Sequence, residues 1–176
     1  AVMWVAQEPT RGDQVMRLLT GPVCRLGAAD VDALWAWARE QARDPRDDTP
    51  TEHEHAAVLA EVLDHLPPRG WVGREGQVVS PVVADRVAWL ARVVRRVRSL
   101  TGLALADLVL ETERMLGLDI EVASDPDLHP AWGRAPLDAL AEVAAGFSSG
   151  ADRPTLGGFL SWLDAAREHE RGLEDA

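Results

Sequence analysis

Apolar residues recur along this chain with helical spacing almost throughout. Val31, Leu34, Trp35 and Ala38 fall at i, i+3, i+4 and i+7, which lines one face of a 3.6-residue helix. A second stripe runs through Val58, Leu59, Val62, Leu63 and Leu66, and a third through Val83, Val87, Leu90, Val94 and Val97. Leu105, Leu108, Val109, Thr112 and Leu116 make a fourth. Leu137, Leu140, Ala141, Ala144 and Phe147 make a fifth, and Leu156, Phe159, Leu160 and Leu163 a sixth. A shorter helix is predicted over Asp13 to Leu19. The pattern therefore predicts an all-α fold, an irregular bundle of about seven helices in a single domain over residues 1–176.

The breaks between stripes carry matching start and stop residues. Thr51 with Glu54 has the spacing of a capping box. Ser80 is placed to cap a helix opening at Pro81, where a missing N–H costs nothing. Gly117 stands where a helix end wants a left-handed residue. Pro136 suits a first helical position, and Thr155 can cap the last helix. Pro67 to Val79 is rich in Gly and Pro and predicts a small hairpin at Trp71–Val79. Asp119 to Arg134, with Pro126, Pro130 and Gly133, predicts an irregular loop. The acidic end, Glu168 to Ala176, is expected to fray or to lead into a neighbouring domain. The chain opens on Ala1 rather than Met, so a piece of a longer polypeptide is expected.

Composition narrows the chemistry. All eighteen basic residues are Arg. The phosphate-binding loop of an NTPase needs a Lys, as does Schiff-base chemistry, so neither can be supplied by this segment. Cys24 is the only cysteine, which excludes an intrachain disulfide and a multi-cysteine zinc site. With no basic-then-apolar leader pattern at the start and no apolar run of about 20 residues, a cytoplasmic location without a membrane is expected. His53 and His55, two residues apart, point to different sides of a helix, and His65 lies almost three turns further on. None has the i, i+4 spacing of a helical zinc pair. Glu111/Glu113 and Glu168/Glu170 diverge in the same way, and Asp64/His65 are adjacent in sequence. There is no Gly-x-Ser-x-Gly elbow.

Net charge is −11, which repels nucleic acid at long range. The excess is uneven: residues 81–116 carry +2 and residues 117–176 carry −8. A nucleic-acid surface, if the chain has one, is therefore expected in the first two thirds. Two features there invite one. Thr20-Gly21-Pro22-Val23-Cys24-Arg25-Leu26-Gly27 joins two predicted helices, the second opening at Ala28-Ala29-Asp30. The result is a helix–hairpin–helix-like element near the N-terminus. The first N–H groups of the second helix lack internal partners, and with the helix dipole they can hold a phosphate. Arg25 would add a charged fork. The alternative is an ordinary helix–turn–helix connection with Arg25 solvated. Likewise Arg92, Arg95 and Arg96, flanked by Arg86 and Arg98, form either a phosphate-facing strip or the solvated face opposite the Val stripe. Trp35, Trp89 and Trp162 lie beside apolar stripes and are expected in the core, and Trp37 and Trp132 on the surface.

The order of these pieces resembles the 2B domain of UvrD/PcrA-type superfamily 1 DNA helicases, most closely in helicase–nuclease subunits of the AdnAB type. Leu18-Leu19-Thr20-Gly21-Pro22 through Arg25-Leu26-Gly27 to Asp32-Ala33-Leu34 is similar to the stretch after the fourth helicase motif. There the family has a Gly-x-Gly hairpin, whose first glycine is Arg25 here. Thr101-Gly102-Leu103 with Leu108 and Glu111 is similar to the family's Thr-Gly-x-x-x-x-Leu helix. Arg134-Ala135-Pro136-Leu137-Asp138-Ala139-Leu140 resembles its Arg-x-x-Asn-Leu-x-Glu-Leu run. Thr155-Leu156-Gly157-Gly158-Phe159-Leu160 resembles its Thr-Leu-x-x-Phe-Leu helix. The match spans about residues 13–171. It implies a segment without catalytic residues that contacts duplex phosphates through Thr20, Gly21, Arg25, Leu26, Gly27 and Ala28, with Arg17, Arg92 and Arg96 as a second tier. It implies no cofactor in this segment, ATP and magnesium being held by the parent's motor domains. The implied partners are duplex DNA, those motor domains and a helicase–nuclease subunit. The competing expectation, from the acidic tail and helical faces alone, is a protein–protein interaction module that does not bind DNA.

Overall fold

Helices account for the regular structure in the computed structural model, which describes residues 1–42, 59–124 and 129–174. In order they are α1 (Val2–Gln7), α2 (Gly12–Thr20), α3 (Ala28–Ala42), α4 (Pro81–Ser99), α5 (Leu105–Leu116), α6 (Leu118–Ser124), α7 (Pro130–Gly150) and α8 (Leu156–Glu174). A further helical turn covers residues 59–61. Among the described residues there is no strand, only an isolated antiparallel bridge between Val72 and Val78. The fold is all-α, as the periodicity predicts. No helix among the described residues is long and apolar enough to cross a membrane.

The stripes explain why these segments are helical: most of their positions go inward. Val31, Leu34 and Ala38 on α3 are buried, as are Val83, Val87, Leu90, Val94 and Val97 on α4. Each full burial of such a side chain contributes about 1.5–3 kcal/mol, far more than helix propensity does. The predicted caps form where they fall on described residues. Ser80 Oγ accepts the Val83 N–H at 3.3 Å, and Thr155 Oγ1 accepts the Gly158 N–H at 3.1 Å. Gly117 ends α5 with φ of 68°.

Several boundaries differ from the sequence expectation. The Thr51/Glu54 box, with His53 and His55, lies outside the described residues. Beyond Glu61 the second stripe leaves the helix: Val62 and Leu63 sit in turns, yet both are buried. Burial, rather than helical period, placed them in the pattern. The stretch from Asp119, expected to be irregular, contains α6. α7 starts at Pro130, which puts Pro136 inside the helix. Pro136 removes the bond that Trp132 O would accept, and Trp132 is 77% exposed, so water can satisfy that carbonyl. α1 was not expected at all. α8 continues helical to Glu174, well past Glu168.

The chain divides into two units, Ala1–Arg95 and Arg96–Ala176. In the first, α2 and α3 join at a tight turn, with α1 beside α2 and Arg11 over the Trp4 ring at 4.3 Å. Trp37, expected on the surface, is half-buried. Its Nε1 donates to His65 O at 2.7 Å, and its ring meets Trp71 edge-on at 5.6 Å. Trp71 Nε1 in turn donates to Glu40 at 3.1 Å. In the second unit α5 lies along α7. Phe159 on α8 is fully buried, whereas Trp162, expected in the core, is 46% exposed.

Candidate functional site

The α2–α3 turn is held from below by its apolar residues. Cys24 and Leu26 are buried. The Leu26 N–H donates to Leu19 O at 2.9 Å and the Arg25 N–H to Gly21 O at 2.8 Å. The Gly21 N–H closes α2 on Arg17 O at 3.1 Å. A side chain at Gly21 would place its Cβ 2.4 Å from that same oxygen, so the chain can reverse here only as glycine. Arg86 reaches from α4 to give Cys24 O a 3.1 Å hydrogen bond. Burial pushes the Cys24 thiol up to about 11 despite the nearby Arg86 charge. Cys24 is therefore protonated at neutral pH and is no nucleophile.

Arg25 stands at the crest. Its side chain is exposed and its φ is 53°, the only positive value at a non-glycine residue among the described residues. An L-residue in this region costs about 1–2 kcal/mol, and glycine adopts it freely. Arg25 thus holds a glycine-like backbone conformation. Arg25→Gly is expected to raise stability by up to about 1 kcal/mol, offset in part by the entropy of a freer unfolded chain. Gly21→Ala is expected to lower it by about 1–3 kcal/mol through the clash with Arg17 O. Urea unfolding of the two variants reads both signs.

Of the sequence-expected contact residues, Arg17, Thr20, Arg25, Gly27 and Ala28 are exposed around this turn, and Gly21 is half-buried. Thr20 Oγ1 is tied to Met16 O at 2.8 Å, and Arg25 Nε lies 3.3 Å from Pro22 O. Two expectations change. Leu26 is buried and its N–H is used internally, so its role is to anchor the turn. The Gly27 N–H is not bare: Asp30 Oδ2 accepts it at 3.0 Å, the reach-back half of a capping box. A carboxylate already sits at the first position a phosphate would take. Among the described residues, nothing accepts the N–H groups of Ala28 and Ala29, which remain open at the helix start.

The arginines of α4 separate by role. Arg86 holds the turn, and Arg95 Nη1 donates to Leu63 O at 3.3 Å, so both serve the first unit internally. Arg92 and Arg96 are exposed, one turn apart and nearly opposite the buried Val83–Val87–Leu90 stripe. They lie about 80–120° around the helix from Arg86 at 100° per residue. α4 thus meets the turn through Arg86 and turns Arg92 and Arg96 elsewhere. The Asp30 cap was legible as an acid three residues after Gly27. Nothing local to residue 86 marks its partner 62 positions earlier.

No protein-family model matches this chain, and a search of curated proteins finds no match either.

Proposed function

We propose that this chain is an accessory domain contacting duplex DNA within a larger ATP-dependent 3′–5′ DNA helicase or translocase of repair or recombination, and that it contributes no chemistry of its own. The observation that carries the reading is the exposed crest itself. Arg25 is held in a glycine-like conformation three residues before the start of α3, whose Ala28 and Ala29 amides are open. A guanidinium and free helix-start amides suit one phosphate. The order of motifs resembling the helicase 2B domain supplies the larger context. In that context ATP and magnesium belong to motor domains elsewhere in the cytoplasmic parent, and a helicase–nuclease subunit is a further partner. Arg17, exposed on α2, is the second-tier contact beside the crest, whereas exposed Arg92 and Arg96 on another face of α4 would form a separate charged strip.

Asp30 defines how this contact must work. Its carboxylate holds the Gly27 N–H and repels an incoming phosphate, so the chain carries its own competitor for the site. Duplex binding measured at stepwise salt tests the reading. Arg25→Glu and Gly27→Asp should weaken binding, and Arg25→Glu, which removes a cationic contact, should also reduce the salt slope by about one counterion. Asp30→Asn should strengthen it. Equal affinity and equal slope in all three variants would refute the proposal and leave the interaction-module reading.

A further inference from the structure

The second unit carries an apolar groove that the phosphate-contact reading does not use. Val143, Gly146, Phe147 and Gly150 form a stripe at i, i+3, i+4 and i+7 on α7. With Ala151 and Trp162 they line an open groove of about 500 Å³. Its floor is aromatic: Phe147 lies 5.5 Å from Phe159 and 5.9 Å from Trp162, ring centre to ring centre. Phe159 beneath is fully buried, while Trp162 and Val143 remain 46% and 39% exposed. An indole half in water beside an open apolar trough is surface that burial against a partner would stabilise.

The glycines sharpen this. Gly146 sits in mid-helix, where glycine costs about 1 kcal/mol relative to alanine. A Cβ there, or at Gly150, would meet nothing within 4 Å, and neither has a left-handed φ. Neither backbone conformation nor internal packing calls for glycine at these positions. What the missing side chains provide is depth in the groove.

Charge selects the occupant. The second unit holds seven arginines against fifteen carboxylates. Exposed Glu142 adjoins Val143, and exposed Asp152 follows Ala151. This field repels phosphates and anionic lipid and attracts cations. A second copy of the chain is a poor fit, because its most basic described helix, α4, already buries its apolar stripe. We propose that the α7–α8 groove docks an amphipathic helix of a protein partner, with two turns of apolar anchors in the groove and Arg or Lys along its flanks. From Val143 to Gly150 the groove runs about 10 Å along α7, the length of two helical turns. That matches anchors at i, i+3, i+4 and i+7 of the incoming helix.

The probe is a fluorescein-labelled helical peptide of about four turns, with Leu at the anchor positions and Arg at the flanks. Two controls replace Arg with Glu, or Leu with Ser. Fluorescence anisotropy with the intact chain should show saturable binding of the first peptide and binding at least about tenfold weaker for each control. Gly146→Leu fills the groove and improves helix propensity, so it should fold at least as well and bind about tenfold more weakly. Glu142→Arg should weaken binding without touching the groove floor. If Gly146→Leu binds like the parent, or the Ser peptide binds like the Leu peptide, the proposal is overturned. Because the variants all lie in the second unit, failure here leaves the Arg25 reading untouched, and the reverse holds.

Discussion

Arg134→Ala is expected to destabilise the second unit by about 3 kcal/mol, and the double variant Glu113→Met/Arg134→Met to recover most of that loss. Glu113 on α5 is the most buried charged residue described, its side chain 4% exposed. Arg134 Nη1 lies 2.9 Å from its Oε1, and Arg134 Nε binds Asp138 at 3.0 Å. The Glu113 contact is an ion pair by distance but lacks hydrogen-bond alignment, and Oε2 has no hydrogen-bond partner among the described residues either. The carboxylate therefore depends on one guanidinium. Removing that partner leaves a buried charge uncompensated, which typically costs about 3–5 kcal/mol; the lower end applies because Arg134 is 41% exposed and water can reach the vacated side. Replacing both partners with apolar groups removes the charge and its burial cost together. Equilibrium denaturation of Glu113→Met, Arg134→Met and the double measures the coupling. A loss under about 0.5 kcal/mol for Arg134→Ala would show the pair to be incidental.

This pair also lies in the part of α7 that begins where the sequence argued for a loop. Pro136 marks a helix start in any local reading, since a proline in a helix interior removes a hydrogen bond and crowds the preceding turn. The six residues before it are nevertheless helical, and Arg134 ties that segment to Glu113, twenty-one positions earlier. That contact joins positions far apart in the chain, and no local spacing rule reports it. Where a feature depended only on neighbours, it was legible: the Ser80 and Thr155 caps, the left-handed Gly117 and the buried faces of α3 and α4 all follow from nearby residues. The same division runs through the candidate site. The turn at Gly21–Gly27 was legible from its glycines. The Arg86 tether from α4 was not, and it is what makes Cys24 O part of the turn's support. Trp37, more covered than expected, and Trp162, more exposed than expected, differ from the sequence reading for a related reason. Both adjoin apolar stripes, and only the neighbours supplied by distant segments decide which indole is covered.

Leu26→Ala should cost about 2–5 kcal/mol and, if the crest contacts duplex DNA as proposed, should remove that contribution without removing a single proposed contact group. Leu26 lies between Arg25 and Gly27, the two residues most directly offered to a ligand, yet it is buried at 6% exposure. Its backbone closes the turn on Leu19 O. Truncation opens a void beneath the crest and loosens the strain that holds Arg25 at φ of 53°; strained backbone persists only while surrounding packing enforces it. Arg25→Glu makes the opposite comparison: it alters an exposed side chain and should change stability by no more than about 0.5 kcal/mol. The two substitutions, one residue apart, therefore separate support from contact. Leu26→Ala should lower the denaturation midpoint strongly, and adding Arg25→Gly should restore part of that stability by relieving the strained position, with no recovery of duplex affinity because the guanidinium is gone. Arg25→Glu should leave the midpoint near its original value while reducing affinity and salt slope. If Leu26→Ala proves as stable as the parent, the turn is not held from beneath, and the rigid presentation of Arg25 loses its physical basis.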